Sequence, residues 1–90
     1  MFVWDESKRR KVIRQHSVDF ALILDIFDDP SGVYREDAEH SEDEIRYSVL
    51  GVTAGYGLTF AIFSYADNDI RFITARRAEK WMVKDYEERF

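Results

Sequence analysis

The 90-residue chain contains no cysteine, only two histidines and a single proline. Without cysteine it can form neither a disulfide nor a thiolate metal site, and it has no cysteine nucleophile. The two histidines, His16 and His40, lie too far apart in sequence to form a zinc site without several carboxylates. The sequence therefore predicts a protein that uses no metal ion and no cofactor.

Long apolar runs are also missing from the chain. No stretch reaches the length of a membrane span, and residues 1–5 do not have the pattern of a signal peptide. We therefore expect a cytoplasmic protein that does not enter a membrane. Hydrophobic residues still make up 46% of the chain and aromatic residues 16%, which is enough for a packed core. At this length, residues 1–90 are expected to form one small domain.

The sequence has no excess of basic residues either, because its formal net charge is −5. Proteins that bind nucleic-acid backbones are usually basic, since binding neutralises phosphates. The charges are unevenly distributed, however. Residues 8–14 include five basic residues and no acid, whereas residues 25–44 include nine acids and one arginine, Arg35. This distribution excludes broad nucleic-acid binding but allows one basic face.

Two helices are predicted near the N-terminus. Asp5 is a good N-cap, and a basic helix runs from there to about His16. Ser17 is positioned to cap a second helix, whose apolar residues recur at the spacing i, i+3, i+4 and i+7. These predicted core residues are Phe20, Ile23, Leu24 and Phe27. Residues 28–32 include two aspartates, a proline and a glycine, which end the second helix.

Alternating apolar residues predict a three-stranded antiparallel meander in the second half of the chain. Its strands begin near residues 45, 58 and 70, with turns at residues 55–57 and 66–69. Shorter strands are predicted at residues 2–4 and around residues 33–35, and the rest of the acidic segment to residue 44 is expected to be an exposed loop. A closing helix is predicted from about residue 78. Its apolar side comprises Ala78, Trp81, Met82 and Tyr86.

This order of elements is typical of an α+β fold. We expect two N-terminal helices and one C-terminal helix, packed on a twisted antiparallel sheet. The sheet combines the three long strands of the meander with the short N-terminal strand. The strand around residues 33–35 would lie at an edge, where it either pairs with a partner or is covered internally.

The adjacent residues Arg76 and Arg77 lie at the end of the last predicted strand. A strand fixes the directions of its side chains, so at least one of the two arginines can be held rigidly over a face of the sheet. A guanidinium group in that position can bind a phosphate through two parallel hydrogen bonds. The alternative interpretation is that both arginines are solvated charges at the start of a surface helix.

Short motifs in a fixed order make the chain resemble a known family. The N-terminal half contains Trp4-Asp5-Glu6 with Lys8, His16-Ser17-Val18 with Phe20, and Phe27-Asp28-Asp29-Pro30. The C-terminal half contains Arg46 followed by Gly51, and then Arg71-Phe72-Ile73-Thr74-Ala75-Arg76-Arg77-Ala78. Together these motifs resemble the signatures of the BrnT toxin family over about residues 2–88. The family usually has Lys-His-Gly where this chain has Gln15-His16-Ser17, a change of one turn residue and one positive charge.

This resemblance implies a RelE/ParE-like fold and a ribonuclease activity that halts translation. It also implies a cognate antitoxin, BrnA-like and of the ribbon-helix-helix type, that covers the toxin in a hetero-oligomer. The complex would bind operator DNA through the antitoxin, while RNA is the substrate of the toxin itself. Two alternatives remain open: a toxin of the same fold that poisons a protein target, and a domain that retains only antitoxin binding in a repressor complex.

Metal-independent RNA cleavage needs a base, a cation that stabilises the pentavalent phosphorane, and an acid. Arg46, Arg76 and Arg77 are the candidates for the cation. His16 is the candidate for proton transfer, because its unperturbed pKa lies near neutrality. Weaker candidates for proton transfer are Tyr86, Glu87 and Lys8.

Each of these residues also has a structural interpretation. His16 lies at a predicted helix junction, where an imidazole often binds a loop carbonyl. Arg46 begins a strand and is close in sequence to two acids, Asp43 and Glu44, with which it could pair. Trp4 can stack on an RNA base, but a tryptophan beside Phe2 is more often part of the core.

The basic helix has three interpretations. Its residues Lys8, Arg9 and Lys11 are either a solvated face, a contact surface for the RNA backbone, or a docking surface for an acidic antitoxin. Clustering of like charges is unfavourable through self-repulsion unless a ligand compensates it. We therefore expect these three residues to contact the RNA substrate.

Overall fold

The computed structural model describes residues 1–41 and 43–88, so the predicted loop is described except for Glu42. Two α-helices, five strands and three short 3₁₀ helices lie in these residues. Their order is β1 (Phe2–Val3), α1 (Glu6–His16), 3₁₀ helices Phe20–Leu22 and Leu24–Asp28, β2 (Val33–Glu36), 3₁₀ helix Ala38–His40, β3 (Arg46–Thr53), β4 (Gly57–Ala66), β5 (Asp69–Arg77) and α2 (Lys80–Glu87). The predicted α+β class is confirmed.

The five strands form one sheet in the order β1-β5-β4-β3-β2. The antiparallel meander β3-β4-β5 is present as predicted, and β2 adds an antiparallel edge strand to β3. β1, however, pairs with β5 in the parallel direction, so the prediction of a purely antiparallel sheet was wrong. A strand of only two residues is too short for its sequence to indicate whether it pairs in the parallel or the antiparallel direction.

A β-bulge interrupts the pairing of β4 with β5. Ile62 is paired with Thr74 and the next residue, Phe63, is paired with Phe72. Ile73 is therefore an extra residue in β5, and it shifts the alternation of side chains between the two faces of the sheet. Two residues of β5 on opposite sides of Ile73 consequently point to the same face of the sheet when their residue numbers differ by an odd value.

The main core lies between one face of the sheet and the N-terminal layer, which consists of α1 and the first two 3₁₀ helices. Fully or almost fully buried residues from both sides meet there: Val12, Val18, Phe20, Ile23, Ile26, Val49, Ala61, Phe63, Phe72 and Ala75. A smaller cluster on the other face packs α2 against the sheet. Its buried members are Val33, Leu50, Met82 and Tyr86.

Helix α1 has the predicted bounds and cap, since the Asp5 carboxylate accepts a hydrogen bond from Lys8 N. Ser17, however, does not cap a second helix. It ends α1 in the left-handed conformation with φ 56°, and its N–H donates to Ile13 O. Asp19 caps the next turn instead by accepting from Ala21 N.

The segment predicted as a second α-helix is two short 3₁₀ helices, although its apolar residues do face the core. Two aspartates tie this segment to β3: Asp25 accepts from Ala54 N and Asp29 from Val52 N, both at 2.8 Å. The segment also approaches β3 closely, because a Cβ atom on Gly51 would lie only 3.0 Å from the Ile26 carbonyl oxygen. These contacts with residues distant in sequence outweigh the α-helical spacing of the apolar residues.

The closing helix begins later than predicted, because β5 continues to Arg77 and α2 starts at Lys80. Met82 and Tyr86 face the sheet and are buried, as predicted. Trp81 does not belong to the core, since it is 58% exposed. Adjacent helix positions are rotated by about 100°, which places Trp81 beside the apolar stripe rather than in it.

Candidate functional site

Four arginines lie on the face of the sheet that α2 covers only in part. We call this surface, defined by Arg35, Arg46, Arg71 and Arg76, the arginine face. Residues paired in register point to the same side of a sheet. Arg35 is paired with Ser48, Arg46 and Arg71 are both paired with Ser64, and Arg76 is paired with Phe60. All of these partners lie on the side of α2.

The bulge at Ile73 places Arg71 and Arg76 on the same face. Without the extra residue, strict alternation would direct these two side chains to opposite faces, because their numbers differ by an odd value. With the bulge, Arg71 is paired with Ser64 and Arg76 with Phe60, two residues of β4 that share a face. A bulge of this kind commonly redirects a side chain near a functional site.

Arg46 and Arg71 share a carboxylate. Glu44 Oε1 forms an ion pair with Arg71 Nη2 and lies 3.9 Å from Arg46 Nε. The sequence-based alternative that Arg46 pairs with Glu44 agrees with this contact. Within the described residues, the buried polar atoms Arg46 Nε and Ser64 Oγ have no hydrogen-bond partner; Ser64 is the residue with which both arginines are paired.

A cleft of about 340 Å³ lies between the sheet and α2, next to Arg76. This volume is within the range of small-ligand sites. The Arg76 guanidinium lies 5.5 Å from the centre of the Phe60 ring and forms an ion pair with Glu79 at 3.0 Å. Arg35, at the other side of the cleft, is 3.0 Å from Asp85. The exposed Trp81 indole lines the cleft and donates to Glu79 at 3.0 Å.

The predicted set Arg46, Arg76 and Arg77 does not converge on one point. Arg46 and Arg76 share a face, but their partners Ser64 and Phe60 are four residues apart in β4, or about 13 Å along the strand. Arg77 points to the opposite face because it follows Arg76 directly in a strand. Its guanidinium carbon lies 4.9 Å from the centre of the Tyr56 ring.

His16 is the last residue of α1 and lies in the N-terminal layer. The sheet separates this layer from the arginine face, so the predicted cooperation of His16 with Arg46 and Arg76 is not supported by the geometry. Tyr86, a weaker candidate for proton transfer, is buried, and its hydroxyl donates to Asp29 at 2.6 Å. Asp29 raises the pKa of Tyr86 through this hydrogen bond, which makes the phenol less suited to proton transfer.

Residues predicted to bind substrate on α1 have different environments. Arg9 Nε and Nη2 each donate to an Asp19 oxygen at 2.8 Å, and Arg9 Nη1 donates to Glu6 at 2.6 Å. The Arg9 hydrogen bonds hold the pKa of Asp19 below its usual range. Arg9 is therefore engaged within the protein, whereas Lys8 and Lys11 are exposed. Their contact with RNA stays a prediction, and like His16 they lie on α1, on the other side of the sheet from the arginine face.

Trp4 packs into the core, as its structural interpretation expects. Its ring centre lies 6.0 Å from that of Phe20 and 6.4 Å from that of Phe72. The indole nitrogen lies 3.4 Å from Glu6. These contacts support a packing role and leave only part of the ring accessible to a base.

Arg71, Glu44 and Trp81 are not among the residues predicted to form a site. Arg71 stands inside the C-terminal motif, and Glu44 precedes Arg46 by two positions, so both signals were present in the sequence. The sequence does not indicate which way these side chains point, because their directions depend on the bulge in β5 and on where α2 begins.

In residues 1–41 and 43–88, no group of three or more acidic or histidine side chains is arranged to hold a metal ion. None of the helices in this part of the chain is long and apolar enough to cross a membrane.

Comparison with known families and structures defines the class of this protein. Residues 4–81 match the family model described as the ribonuclease toxin, BrnT, of type II toxin-antitoxin systems. The fold is similar to the crystal structure of the Brucella abortus ribonuclease toxin, BrnT, with a TM-score of 0.68 and 26% identity over 89% of this chain and 99% of that chain. A search of curated protein sequences finds no match. The fold and these matches define a ribonuclease toxin whose system includes a protein antitoxin.

The chain belongs to the BrnT family, as its sequence motifs predicted. The wider relationship to RelE and ParE toxins stays a prediction.

Proposed function

We propose that this toxin is a metal-independent endoribonuclease whose scissile phosphate binds between Arg46 and Arg71. The observation that carries the proposal is their shared position on the sheet, since both are paired with Ser64 in the strand between them. Two inter-strand spacings separate their Cα atoms, or about 10 Å. Their guanidinium groups nevertheless approach the same carboxylate of Glu44.

The Glu44 contact supports an oxyanion site at this position. A phosphate resembles a carboxylate in its negative charge and in its oxygen acceptors, and arginine binds both through similar geometry. Two guanidinium groups around one phosphate would stabilise the additional negative charge of the phosphorane transition state. The proposed pair, Arg46 and Arg71, replaces the predicted set Arg46, Arg76 and Arg77, whose side chains do not converge on one point.

The cleft beside this site suits the neighbouring part of a single-stranded RNA. Arg35 and Arg76 supply positive charge along the cleft, and the exposed Trp81 offers a ring on which a base can stack. The basic surface is narrow because carboxylates of Glu79 and Asp85 accompany two of the arginines, and Glu36 and Asp37 also line the cleft. Such a surface favours binding of one RNA strand in the cleft over non-specific binding along a long stretch of nucleic acid.

The family relationship supports the remaining parts of the proposal. We propose that cleavage of RNA inhibits translation in the cytoplasm and that a BrnA-like antitoxin of the ribbon-helix-helix type covers the toxin in a hetero-oligomer. Operator DNA would then be bound through the antitoxin. The wider RelE/ParE relationship belongs to the same proposal.

Cleavage of RNA by the purified toxin in the presence of EDTA tests the proposal. Arg46→Ala and Arg71→Ala are each expected to lower kcat by about 10²–10³, as for removal of one oxyanion donor. Arg77→Ala is the matched control, because it removes the same charge from the opposite face. Loss of all cleavage in EDTA, or equal activity of the Arg46 and Arg77 variants, would contradict the proposal. Intact RNA in growth-arrested cells would instead indicate a protein target.

A further inference from the structure

Glu44 is the carboxylate that accompanies the proposed phosphate site. Its side chain is about one-third exposed, at 32%, so it is accessible to a substrate, and in the free protein it is paired with Arg71. Of the other carboxylates near the arginine face, Glu79 is paired with Arg76 and Asp85 with Arg35. Glu36 and Asp37 line the cleft beside Arg35, whereas Glu44 approaches both Arg46 and Arg71. His16, the predicted candidate for proton transfer, lies in the layer behind the sheet.

We infer that Glu44 is the general base of RNA cleavage, an inference that rests on the proposed function. A general base must lie within hydrogen-bond reach of the proton that it removes. The 2′-hydroxyl that attacks in this reaction is attached to the same nucleotide as the scissile phosphate. A carboxylate that is paired with Arg71 and lies 3.9 Å from Arg46 Nε is therefore close to that hydroxyl when the phosphate is bound.

Two buried polar atoms at the proposed phosphate site have no hydrogen-bond acceptor in the part of the chain that the structure describes, so Glu44 does not satisfy all the donors there. Within the described residues, Arg46 Nε and Ser64 Oγ are buried without hydrogen-bond partners. Buried polar groups are nearly always paired, and leaving one unpaired is unfavourable. A phosphate oxygen bound between Arg46 and Arg71 would accept from these donors while Glu44 moves aside toward the 2′-hydroxyl.

The proposed reaction needs only the RNA, Glu44 and one water molecule, and both Glu44 and the water are regenerated. Glu44 accepts the 2′-hydroxyl proton, the 2′-oxygen forms a bond to phosphorus, and the bond from phosphorus to the 5′-oxygen breaks. The departing 5′-oxygen takes a proton from water, and protonated Glu44 returns its proton to the resulting hydroxide. The products are a 2′,3′-cyclic phosphate and a 5′-hydroxyl end.

A different role for Glu44 makes the opposite prediction. If Glu44 only mimics a phosphate and competes with RNA for the arginines, its neutralisation raises activity. If Glu44 is the base, Glu44→Gln lowers kcat by about 10²–10⁴. In that case affinity for an uncleavable 2′-O-methyl copy of the substrate stays the same or increases, because one negative charge has left the site.

The experiment compares Glu44→Gln and Glu44→Asp with Glu39→Gln, which removes the same charge from an exposed position of the same segment. The expected result is a large loss of kcat for Glu44→Gln with retained binding, partial activity for Glu44→Asp, and normal activity for Glu39→Gln. Activity of Glu44→Gln within about threefold of wild type, or above it, would overturn the inference. If thermal melting shows that Glu44→Gln does not fold, Glu44→Asp decides: normal kcat would contradict a positioned base.

Failure of this inference can be distinguished from failure of the proposed function. If Glu44 is not the base, the Arg46 and Arg71 variants still lose activity while Glu44→Gln does not. If the site itself is elsewhere, the two arginine variants cleave RNA as well as the wild type does.

Discussion

Replacing Tyr86 with phenylalanine removes one hydroxyl group from α2 and leaves the aromatic ring in place. In the wild-type protein this hydroxyl donates to Asp29 Oδ2 at 2.6 Å. Asp29 also accepts backbone N–H bonds from Ser31 at 2.9 Å and from Val52 at 2.8 Å. One carboxylate thus joins α2, which forms a wall of the cleft, to β3 and to the turn before β2.

The main interaction lost is the hydrogen bond from this buried hydroxyl to an ionised carboxylate; the hydroxyl also forms a side-chain hydrogen bond with Ser31. Such bonds contribute about 1.5–3 kcal/mol, and a domain is stable by only about 5–15 kcal/mol. Phenylalanine fills the same space, so no cavity adds to the loss. We expect Tyr86→Phe to lower the free energy of unfolding at pH 7 by about 2 kcal/mol, and to lower Tm by about 8–16 °C.

The effect should depend on pH with a defined sign. Burial by itself raises the pKa of Asp29, but the hydrogen bonds from Tyr86, Val52 and Ser31 together bring it below its usual range. A lowered carboxyl pKa contributes stability above the unfolded-state value of about 3.9, and this contribution is lost as the pH falls through the folded-state value. The difference between wild type and Tyr86→Phe should therefore shrink below about pH 4.

Urea unfolding followed by tryptophan fluorescence measures this difference at pH 7 and at pH 3. Tyr65→Phe is the matched control, because Tyr65 is 61% exposed and its change should stay within about 0.5 kcal/mol. A loss below about 0.5 kcal/mol for Tyr86→Phe at pH 7, or a loss of equal size at both pH values, would refute the reasoning.

Three further predictions follow from the geometry. Ser17→Gly should raise the free energy of unfolding by about 0.5–1 kcal/mol in urea, because Ser17 has a φ of 56°; an unchanged or lower value would contradict this. Trp81→Ala should weaken binding of a single-stranded RNA by about 1–3 kcal/mol, with Tm unchanged. The logarithm of RNA affinity should fall with the logarithm of salt concentration with a slope no steeper than about −3 for four arginines; a steeper slope would indicate that Lys8 and Lys11 also contact RNA.

The sequence predicted the elements that depend on local signals. Asp5 caps α1, and the alternation from residue 45 onward gives the meander with turns close to the predicted positions. The segment after Ser17 could not be predicted in the same way. A 3₁₀ helix and an α-helix place apolar residues at overlapping spacings over so few residues. The contacts that distinguish them here, from Asp25 and Asp29 to the backbone of β3, join residues that are distant in sequence.

The candidate site depends on a single structural detail that the sequence does not reveal. Arg76 and Arg77 are adjacent in a strand, so they must diverge, and either one could have faced the open side of the sheet. Arg71 joins Arg76 on that side only because Ile73 is an extra residue in β5. Arg46 and Arg71 then lie on either side of Ser64 in β4, because the register pairs both of them with that residue. The motif that identifies the family thus contains the arginines of the proposed site, but the position of the bulge determines which of them face the RNA.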